Sequence, residues 1–341
     1  MTPQTDNINA IRQLIEFANN ILVTAHMDGD GDSIGTQLAV LDYLESLGKN
    51  AIAAHASDVP DMLRFLPKSA RLHNIRISAE LEKVECAGPY DLLLVLECPT
   101  PERMGAVWNL KAADAKIINI DHHHDNVGYG DIAWVDPVAS SVGELLTEYF
   151  IDIGFEFDAA TAESLYTAIL TDTGRFQYNS AGPKTFRLVA DLVARGIDIR
   201  KVVDHIYLQR KPSSLTLLGL ALATIRFFAG GRAALIEIPP ATFQQAGATS
   251  ADCEGIVEYT LMAKGTEVGA LVRSDDNQRT KVSLRSRGGC DVSAIASQFG
   301  GGGHAGAAGC AFDASTSDVV KTIISSIETA LESHVAVGVE S

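Results

Sequence analysis

Short apolar runs with polar flanks recur through the first half of the chain, and they cover residues 21–25, 51–54, 91–96 and 116–120. Their lengths are typical of buried strands. Between the first two runs, leucine and isoleucine recur at helical spacing up to Gly48, which predicts a helix over 33–48. Buried strands that alternate with helices predict an α/β fold built on a doubly wound, mostly parallel sheet with both faces covered.

In the rest of the chain, the pattern of apolar and polar residues changes twice. Helical periodicity predicts five consecutive helices, over 139–152, 158–170, 184–195, 199–208 and 214–223. Two strands around a Gly-Gly turn follow within 224–238, and a hairpin with strands 268–274 and 280–286 turns at an Asp-Asp-Asn sequence. We therefore expect a first domain over 1–190, a helical linker over 191–215 and a smaller, mixed α/β C-terminal domain over 216–336.

Composition narrows the possible functions. A chain of 341 residues exceeds what one hydrophobic core usually supports, and its charge of −16 argues against a broad basic surface for long duplex nucleic acid. Five cysteines without a Cys-x-x-Cys pair suit reduced thiols. The N-terminus lacks a basic start before an apolar core, and no apolar run reaches the roughly 20 residues of a membrane helix. We expect a cytoplasmic protein without membrane contact, and any nucleic-acid substrate should be short.

Acidic residues and histidines follow the predicted strands and one predicted helix. They lie in four segments: His-Met-Asp-Gly-Asp-Gly-Asp at 26–32, Glu97, Asp-His-His-His-Asp at 121–125, and Thr-Asp-Thr-Gly-Arg-Phe at 171–176. Because ligands of an open parallel sheet bind beyond the carboxyl ends of its strands, these side chains should converge. Each segment alone is compatible with a surface turn, a helix cap or a solvated loop. Their joint placement favours a functional site.

Carboxylates and imidazoles gathered at one edge of a sheet are unfavourable unless cations neutralise them. Oxygen-rich ligand sets with a minority of imidazole suit manganese or magnesium better than structural zinc. The donors exceed what one ion with open positions uses, so we expect two divalent ions, Mn²⁺ before Mg²⁺. Such a pair can activate water and stabilise the attacking and leaving oxygens of a phosphoryl displacement.

These segments resemble the DHH phosphoesterases, a family named for the sequence seen here at Asp121, His122 and His123. The segment at 26–32 is similar to the family's first motif, and Gly-Glu-Leu-Leu at 143–146 and Leu-Thr-Asp-Thr-Gly-Arg-Phe at 170–176 resemble later ones. The glycine-rich sequence at 299–309 is similar to the signature of the DHH-associated domain. Together these motifs extend the resemblance over nearly the whole chain.

The resemblance implies two sets of metal ligands that share one bridging glutamate: His26, Asp30 and Glu97 for one ion, and Asp32, Glu97, His122 and Asp172 for the other. Two positions depart from the family pattern. Glu97 stands where aspartate is usual and is one methylene longer, and Asp28-Gly29 stands where Asn-Pro is usual. Asp28 is expected to lie outside the ligand set or to face solvent.

Other residues are expected to act on the substrate. His123 is not needed as a ligand, so it can contact the scissile phosphate or protonate the leaving oxygen. Asp121 is expected to orient an imidazole, and Arg103 to reach the phosphate. In the C-terminal domain the glycine run lets backbone N–H groups approach a phosphate closely. The candidate substrate-binding residues there are Arg285, Gly301, Gly302, Gly303, His304 and Arg273.

The subgroup that the chain resembles acts on very short RNA and on 3′-phosphoadenosine 5′-phosphate (pAp). The resemblance therefore implies a manganese-dependent phosphodiesterase and phosphatase that degrades short oligoribonucleotides and linear dinucleotides such as pGpG and pApA to mononucleotides, and pAp to AMP. A cyclic-dinucleotide phosphodiesterase, a polyphosphate or pyrophosphate hydrolase and a non-catalytic nucleotide sensor remain alternatives. Whether the chain forms a homodimer is also left open.

Overall fold

The computed structural model describes residues 3–274, 279–287 and 289–337. The chain divides into two compact units, residues 1–209 and 210–341. Each unit has its own hydrophobic core. Within the described part of the chain, no helix is long and apolar enough to cross a membrane.

The first unit alternates strands with helices. Its strands are β1 (Asn20–Thr24), β2 (Asn50–His55), β3 (Leu72–Asn74), β4 (Tyr90–Leu96), β5 (Lys111–Asp121) and β6 (Ile132–Val135). Its helices are α1 (Pro3–Phe17), α2 (Gly31–Ser46), α3 (Ser78–Ala87), α4 (Val142–Asp152), α5 (Ala159–Asp172), α6 (Pro183–Ala194) and α7 (Ile199–Val203). A π-helical turn over Asp204–Leu208 continues α7.

The six strands form one all-parallel sheet in the order β3-β2-β1-β4-β5-β6. Alternate residues of β1 face different cores: Val23 packs with α2, α4 and α5, whereas Leu22 packs with α3. The predicted parallel sheet with both faces covered is therefore confirmed. The strand order reverses between β1 and β4, and such a switch point is where open α/β sheets bind their ligands.

Small residues bring the helices on one face of this sheet close together. A Cβ atom on Gly35 of α2 would lie 2.3 Å from the carbonyl oxygen of Ser164 in α5. A Cβ atom on Gly143 of α4 would lie 2.6 Å from the Cβ of Ala168 in α5. Helices α2, α4 and α5 thus pack through positions where only glycine fits, and their ends carry the motifs described below.

The second unit is a mixed α/β structure. Its strands are β7 (Arg226–Phe228), β8 (Ala233–Ile238), β9 (Val268–Ser274), β10 (Thr280–Ser286), β11 (Gly302–His304) and β12 (Ala307–Phe312), in the sheet order β11-β12-β10-β9-β8-β7. Strands β8 and β9 are parallel, and the other described neighbours are antiparallel. Its helices are α8 (Pro212–Leu222), α9 (Pro240–Ala246), α10 (Val292–Ser297) and α11 (Thr316–Val337).

Most elements lie within a few residues of their predicted bounds, including the antiparallel pairs β7–β8 and β9–β10. The Asp-Asp-Asn turn of the second pair lies outside the described residues. The segment expected as a linker is divided: Ile206 is buried in the core of the first unit, whereas Ser214 of α8 donates to the carbonyl of Asp252 in the second unit. Strands β3 and β6 are absent from the sequence prediction, because such short edge strands carry little periodicity.

Candidate metal centre

The first motif occupies the turn between β1 and α2, at the switch point. His26 lies two residues beyond β1 and is buried. Asp30 is the N-cap of α2, and its carboxylate accepts the N–H of Ser33 at 3.0 Å. Asp32 lies in the first turn of the helix and is fully buried. The capping preference of aspartate thus explains why this acidic segment begins a helix.

The carboxylate of Asp32 is held by the first residues of α4. Its Oδ2 accepts the N–H of Val142 at 2.7 Å, and its Oδ1 accepts the N–H of Gly143 at 2.8 Å. The N-terminus of a helix favours negative charge, so α4 stabilises a buried carboxylate at this point. A Cβ atom on Gly143 would lie 3.3 Å from Oδ1, so glycine also leaves room for this contact.

Glu97 follows β4 immediately and is almost fully buried. Its backbone adopts a left-handed conformation with φ of +53°, which is uncommon for a residue other than glycine. The carboxylate lies between two histidines: Oε2 is 2.5 Å from Nε2 of His26, and Oε1 is 3.4 Å from Nε2 of His123. Backbone conformation and side-chain length together place this glutamate at the middle of the cluster.

The Asp-His-His motif lies at the end of β5, the next strand of the sheet. Asp121 is fully buried, and its Oδ1 accepts Nδ1–H of His123 at 2.8 Å. Nε2 of His122 lies 3.3 Å from Oδ2 of Asp172, the last residue of α5, and 3.9 Å from Oε1 of Glu97. Within this motif, the imidazole that the Asp121 carboxylate contacts is that of His123.

Among the residues that the structure describes, three groups of donor atoms result, each with its ligand atoms within 4.8 Å of one another: His26, Asp30 and Glu97; Asp32, His122 and Asp172; and Glu97, His122 and His123. Every ligand named from the sequence belongs to at least one of these groups. The third group includes His123, to which the sequence assigned substrate contact rather than metal binding.

The histidines present their lone pairs to carboxylates. Nδ1 of His26 contacts the carbonyl oxygen of Met27 at 2.5 Å, and Nδ1 of His122 contacts that of Ala139 at 3.3 Å. A carbonyl only accepts, so these contacts assign the hydrogen to Nδ1 and the lone pair to Nε2. Each Nε2 faces a carboxylate oxygen, which is also an acceptor. Facing acceptors favour a cation between them, so the donor set fits divalent metal ions.

The pKa shifts of these side chains also indicate that the cluster binds cations. Burial and the charge of Asp172 raise the pKa of Asp32 to about 8, and burial and the charge of Asp30 raise the pKa of Asp172 to about 7. Burial and the neighbouring carboxylates raise the pKa of Glu97 well above its usual range. Burial also lowers the pKa of His26, which favours its neutral, metal-binding form. Ionising all three carboxylates is thus unfavourable unless cations supply positive charge.

Other predicted residues of the first unit lie around this cluster. Arg103 is exposed, its carbonyl accepts the N–H of Met27 at 2.7 Å, and its charge acts on His26 and His123. Asp28 is exposed and left-handed, with φ of +56°. This position agrees with the expectation that Asp28 faces solvent.

In the second unit, Arg285 and the glycine-rich signature lie on neighbouring strands. Arg285 on β10 pairs with Ala307 on β12, which pairs in turn with His304 on β11. The guanidinium of Arg285 donates to Glu258 at 2.7 Å. The side chain of His304 lies outside the described part of the structure. Arg273 does not join this row: it pairs with Lys281, four residues along β10, and donates to the carbonyl of Ser250.

The glycines expected to form a phosphate-binding loop partly form strand β11 instead. A Cβ atom on Gly301 would lie 2.1 Å from the carbonyl oxygen of Gly309, and Gly303 combines φ of +137° with a similar clash against Ala307. These two glycines are required by the approach of β11 to β12. Around Gly302, in contrast, a Cβ atom would meet no described atom within 4 Å, so ligand approach stays a prediction for this position.

Sequence reasoning missed polar residues that support the centre. Asn126 donates to Oδ2 of Asp121 at 2.6 Å and to Oδ1 of Asn119 at 2.9 Å. Asn119 is a fully buried polar residue inside the apolar strand β5, and that break in pattern was a usable signal. The backbone donors of Val142 and Gly143 carry no comparable signal, because any residue has an N–H group.

A parallel α/β sheet with carboxylates and imidazoles at its switch point fits the class of metal-dependent hydrolases, which includes those of phosphoric ester bonds. Comparison with known families agrees. Residues 20–197 match the family model of the DHH family, N-terminal domain, and residues 234–333 match that of the DHHA1 domain. The first match alone spans more than half of the chain, and the chain belongs to the DHH family.

Individual relatives extend this similarity over both units. The chain is 34% identical over 291 residues to the bifunctional oligoribonuclease and PAP phosphatase NrnA of Thermus thermophilus, covering 85% of this chain and 83% of that protein. It is 26% identical over 324 residues to the Bacillus subtilis protein of the same name, covering 94% and 97%. The crystal structure of an exopolyphosphatase-related protein from Bacteroides fragilis matches with a TM-score of 0.88 and 27% identity, covering 96% of both chains.

Proposed function

We propose that the protein is a divalent-metal-dependent phosphodiesterase and phosphatase that degrades short oligoribonucleotides and linear dinucleotides such as pGpG and pApA to mononucleotides, and pAp to AMP. The observation that carries this proposal is the set of three overlapping donor groups around Glu97. The two relatives named bifunctional oligoribonuclease and PAP phosphatase support the substrate class, since the alignments span most of both proteins.

In this proposal two Mn²⁺ ions, or Mg²⁺ in their place, share Glu97: His26 and Asp30 complete one ligand set, and Asp32, His122 and Asp172 the other. Bound there, two divalent cations would lower the pKa of a water nucleophile and neutralise charge that develops on the phosphate oxygens. The buried carboxylates would provide the negative charge that holds the cations, and the neutral imidazoles would provide nitrogen ligands.

Other residues of the chain act on the substrate. His123 keeps Nδ1 on Asp121, which directs Nε2 to the centre, where it contacts the phosphate or the leaving oxygen. Arg103 supplies positive charge beside it. In the second unit, Arg285 and the backbone of Gly302 and His304 bind the phosphate end of the nucleotide.

None of the five cysteines, all of which are described, forms a disulfide, which supports a cytoplasmic location.

The experiment that tests this function offers the purified protein, with Mn²⁺, a panel of pGpG, pApA, short RNA oligomers, pAp, cyclic dinucleotides and polyphosphate. We expect mononucleotides from the linear substrates and AMP from pAp, with Asp32→Ala as the inactive control. Faster cleavage of cyclic dinucleotides or polyphosphate would contradict the substrate class. Release of no product from any substrate would contradict the enzymatic function.

A further inference from the structure

The carboxylate of Asp121 is engaged on both oxygens by groups of the chain itself. Oδ1 accepts the backbone N–H of His122 at 2.7 Å and that of His123 at 3.2 Å, besides Nδ1–H of His123. Oδ2 accepts Nδ2–H of Asn126 at 2.6 Å. A buried carboxylate with four donors is fixed in one orientation, and its orientation sets that of the His123 ring.

Asn126 joins this carboxylate to a second buried side chain. Its Nδ2 also donates to Oδ1 of Asn119 at 2.9 Å, and its own Oδ1 accepts the N–H of Gly128 at 2.7 Å. Two acceptors on one side and a donor on the other admit a single orientation of the amide group. Asn126 is therefore a rigid link between Asp121 and Asn119.

Asn119 extends these hydrogen bonds to Cys98, the residue after Glu97. Its Nδ2 donates to the carbonyl of Cys98 at 3.2 Å, and the hydroxyl of Tyr129 donates to the same carbonyl at 2.9 Å. The hydrogen-bonded series thus runs from His123 through Asp121, Asn126 and Asn119 to the carbonyl of Cys98, the residue after Glu97. Its two ends meet again where Nε2 of His123 lies 3.4 Å from Oε1 of Glu97.

We propose that Asn126 is a positioning residue for the phosphoester chemistry: by holding Asp121, it fixes the Nδ1–H form and the ring orientation of His123 and so keeps Nε2 directed at Glu97. The amide of Asn126 is engaged by Asp121, Asn119 and Gly128, so it acts through Asp121 and His123. The catalytic part of this inference rests on the proposed function, whereas the tautomer of His123 does not.

Nitrogen NMR of the histidine rings in the metal-free protein, at a pH above the imidazole titration, tests the tautomer directly. We expect the Nδ1–H form of His123 in the wild type, with His123→Ala identifying its signals, and a shift towards Nε2–H in Asn126→Ala. Tyr129→Phe is the matched control, because it removes a hydroxyl from the far end of the series but leaves both acceptors of Asn126, and it should keep the wild-type tautomer. An unchanged tautomer in Asn126→Ala would overturn the proposal.

Kinetics with pGpG and Mn²⁺ test the consequence for catalysis. Asn126→Ala should lower kcat about 10- to 100-fold with little change in KM, as for other groups that orient functional histidines. In a His123→Ala background the same substitution should cause no further loss, since its effect passes through that ring. An equal fold-loss in both backgrounds, or an unchanged kcat, would overturn the proposal.

Failure of the proposed function can be distinguished from failure of the positioning role of Asn126. If the wild type cleaves no phosphate ester, the proposed function fails, while the NMR experiment still decides the tautomer. If Asn126→Ala does not fold, Asn126→Leu, which nearly keeps the size of the side chain and removes its donor, is used for both measurements, with the same expected and contradicting results.

Discussion

Nε2 of His26 lies 2.5 Å from Oε2 of Glu97, and this contact joins the first motif to the end of the neighbouring strand β4. Glu97 also shares a donor group with His122 and His123, so its side chain belongs to two of the three groups, as does that of His122. Its left-handed backbone is a conformation that costs a residue with a side chain about 1–3 kcal/mol. The fold thus retains an unfavourable backbone at the residue proposed to bridge two ions.

Replacing Glu97 by glutamine keeps the size of the side chain and removes its charge. We expect Glu97→Gln to lose affinity for both ions and to lower turnover of pGpG more than about 100-fold. The metal-free variant should be more stable than the metal-free wild type, since burial no longer opposes an ionised carboxylate at this position. Thermal unfolding with and without Mn²⁺ measures both effects. A rise in Tm with Mn²⁺ equal to that of the wild type would contradict the bridging role.

The metal-free protein should lose stability as the pH rises. Asp32 and Asp172 have pKa values raised to about 8 and about 7 from a usual 3.8. Between the usual and raised values the folded chain binds more protons than the unfolded chain, so the free energy of unfolding falls with pH. Saturating Mn²⁺ should reduce or reverse this fall.

Denaturant titrations in EDTA from about pH 5 to about pH 8 measure this dependence. Asp32→Asn should flatten the curve, because the amide does not titrate. Greater stability of the metal-free wild type at the higher pH would contradict the raised pKa values of the buried carboxylates.

The close packing of α2 on α5 is tested by alanine at Gly35. A methyl group there would lie 2.3 Å from a backbone oxygen, so Gly35→Ala should destabilise the protein by about 1–3 kcal/mol and lower activity through displacement of Asp32. Gly219→Ala in α8 is the control, since no described atom lies within 4 Å of the added Cβ. It should be neutral or stabilise by up to about 1 kcal/mol. Equal stability of the two variants would argue against this packing.

The glycine-rich signature separates into structural and substrate-binding positions. Gly301→Ala should destabilise the second unit, because the added Cβ would lie 2.1 Å from a carbonyl oxygen of β12. Gly302→Ala should leave the Tm within a few degrees of the wild type and raise KM for pGpG about tenfold, by blocking approach of the phosphate to the backbone. An unchanged KM in a folded Gly302→Ala protein would remove this position from the proposed substrate site.

The fold and the donor set could be predicted because both follow from periodic patterns. Apolar runs such as residues 91–96 mark buried parallel strands, and the rule that ligands bind at strand ends then brings Glu97 and His122 to one edge of the sheet. The resemblance to a known family added the partition into two ligand sets. The edge strand β3 escaped prediction, because it has only three residues.

The supporting contacts could not be predicted, since they depend on tertiary packing. Asp32 is held by backbone N–H groups of Val142 and Gly143, more than 100 residues away in sequence. The left-handed turn at Glu97 has no signature in the residue itself. Asn126 follows Asp121 by five residues, but its role is visible only once Asn119 of β5 is seen beside it.

The central claim is that one chain holds two divalent ions around Glu97. Equilibrium binding of Mn²⁺ to the purified, metal-free protein, measured by isothermal titration calorimetry, tests it most directly. We predict two ions per chain in the wild type and weakened binding at one site in His26→Ala and at the other in Asp172→Ala. Binding of no Mn²⁺, or of a single ion that neither substitution affects, would contradict the claim.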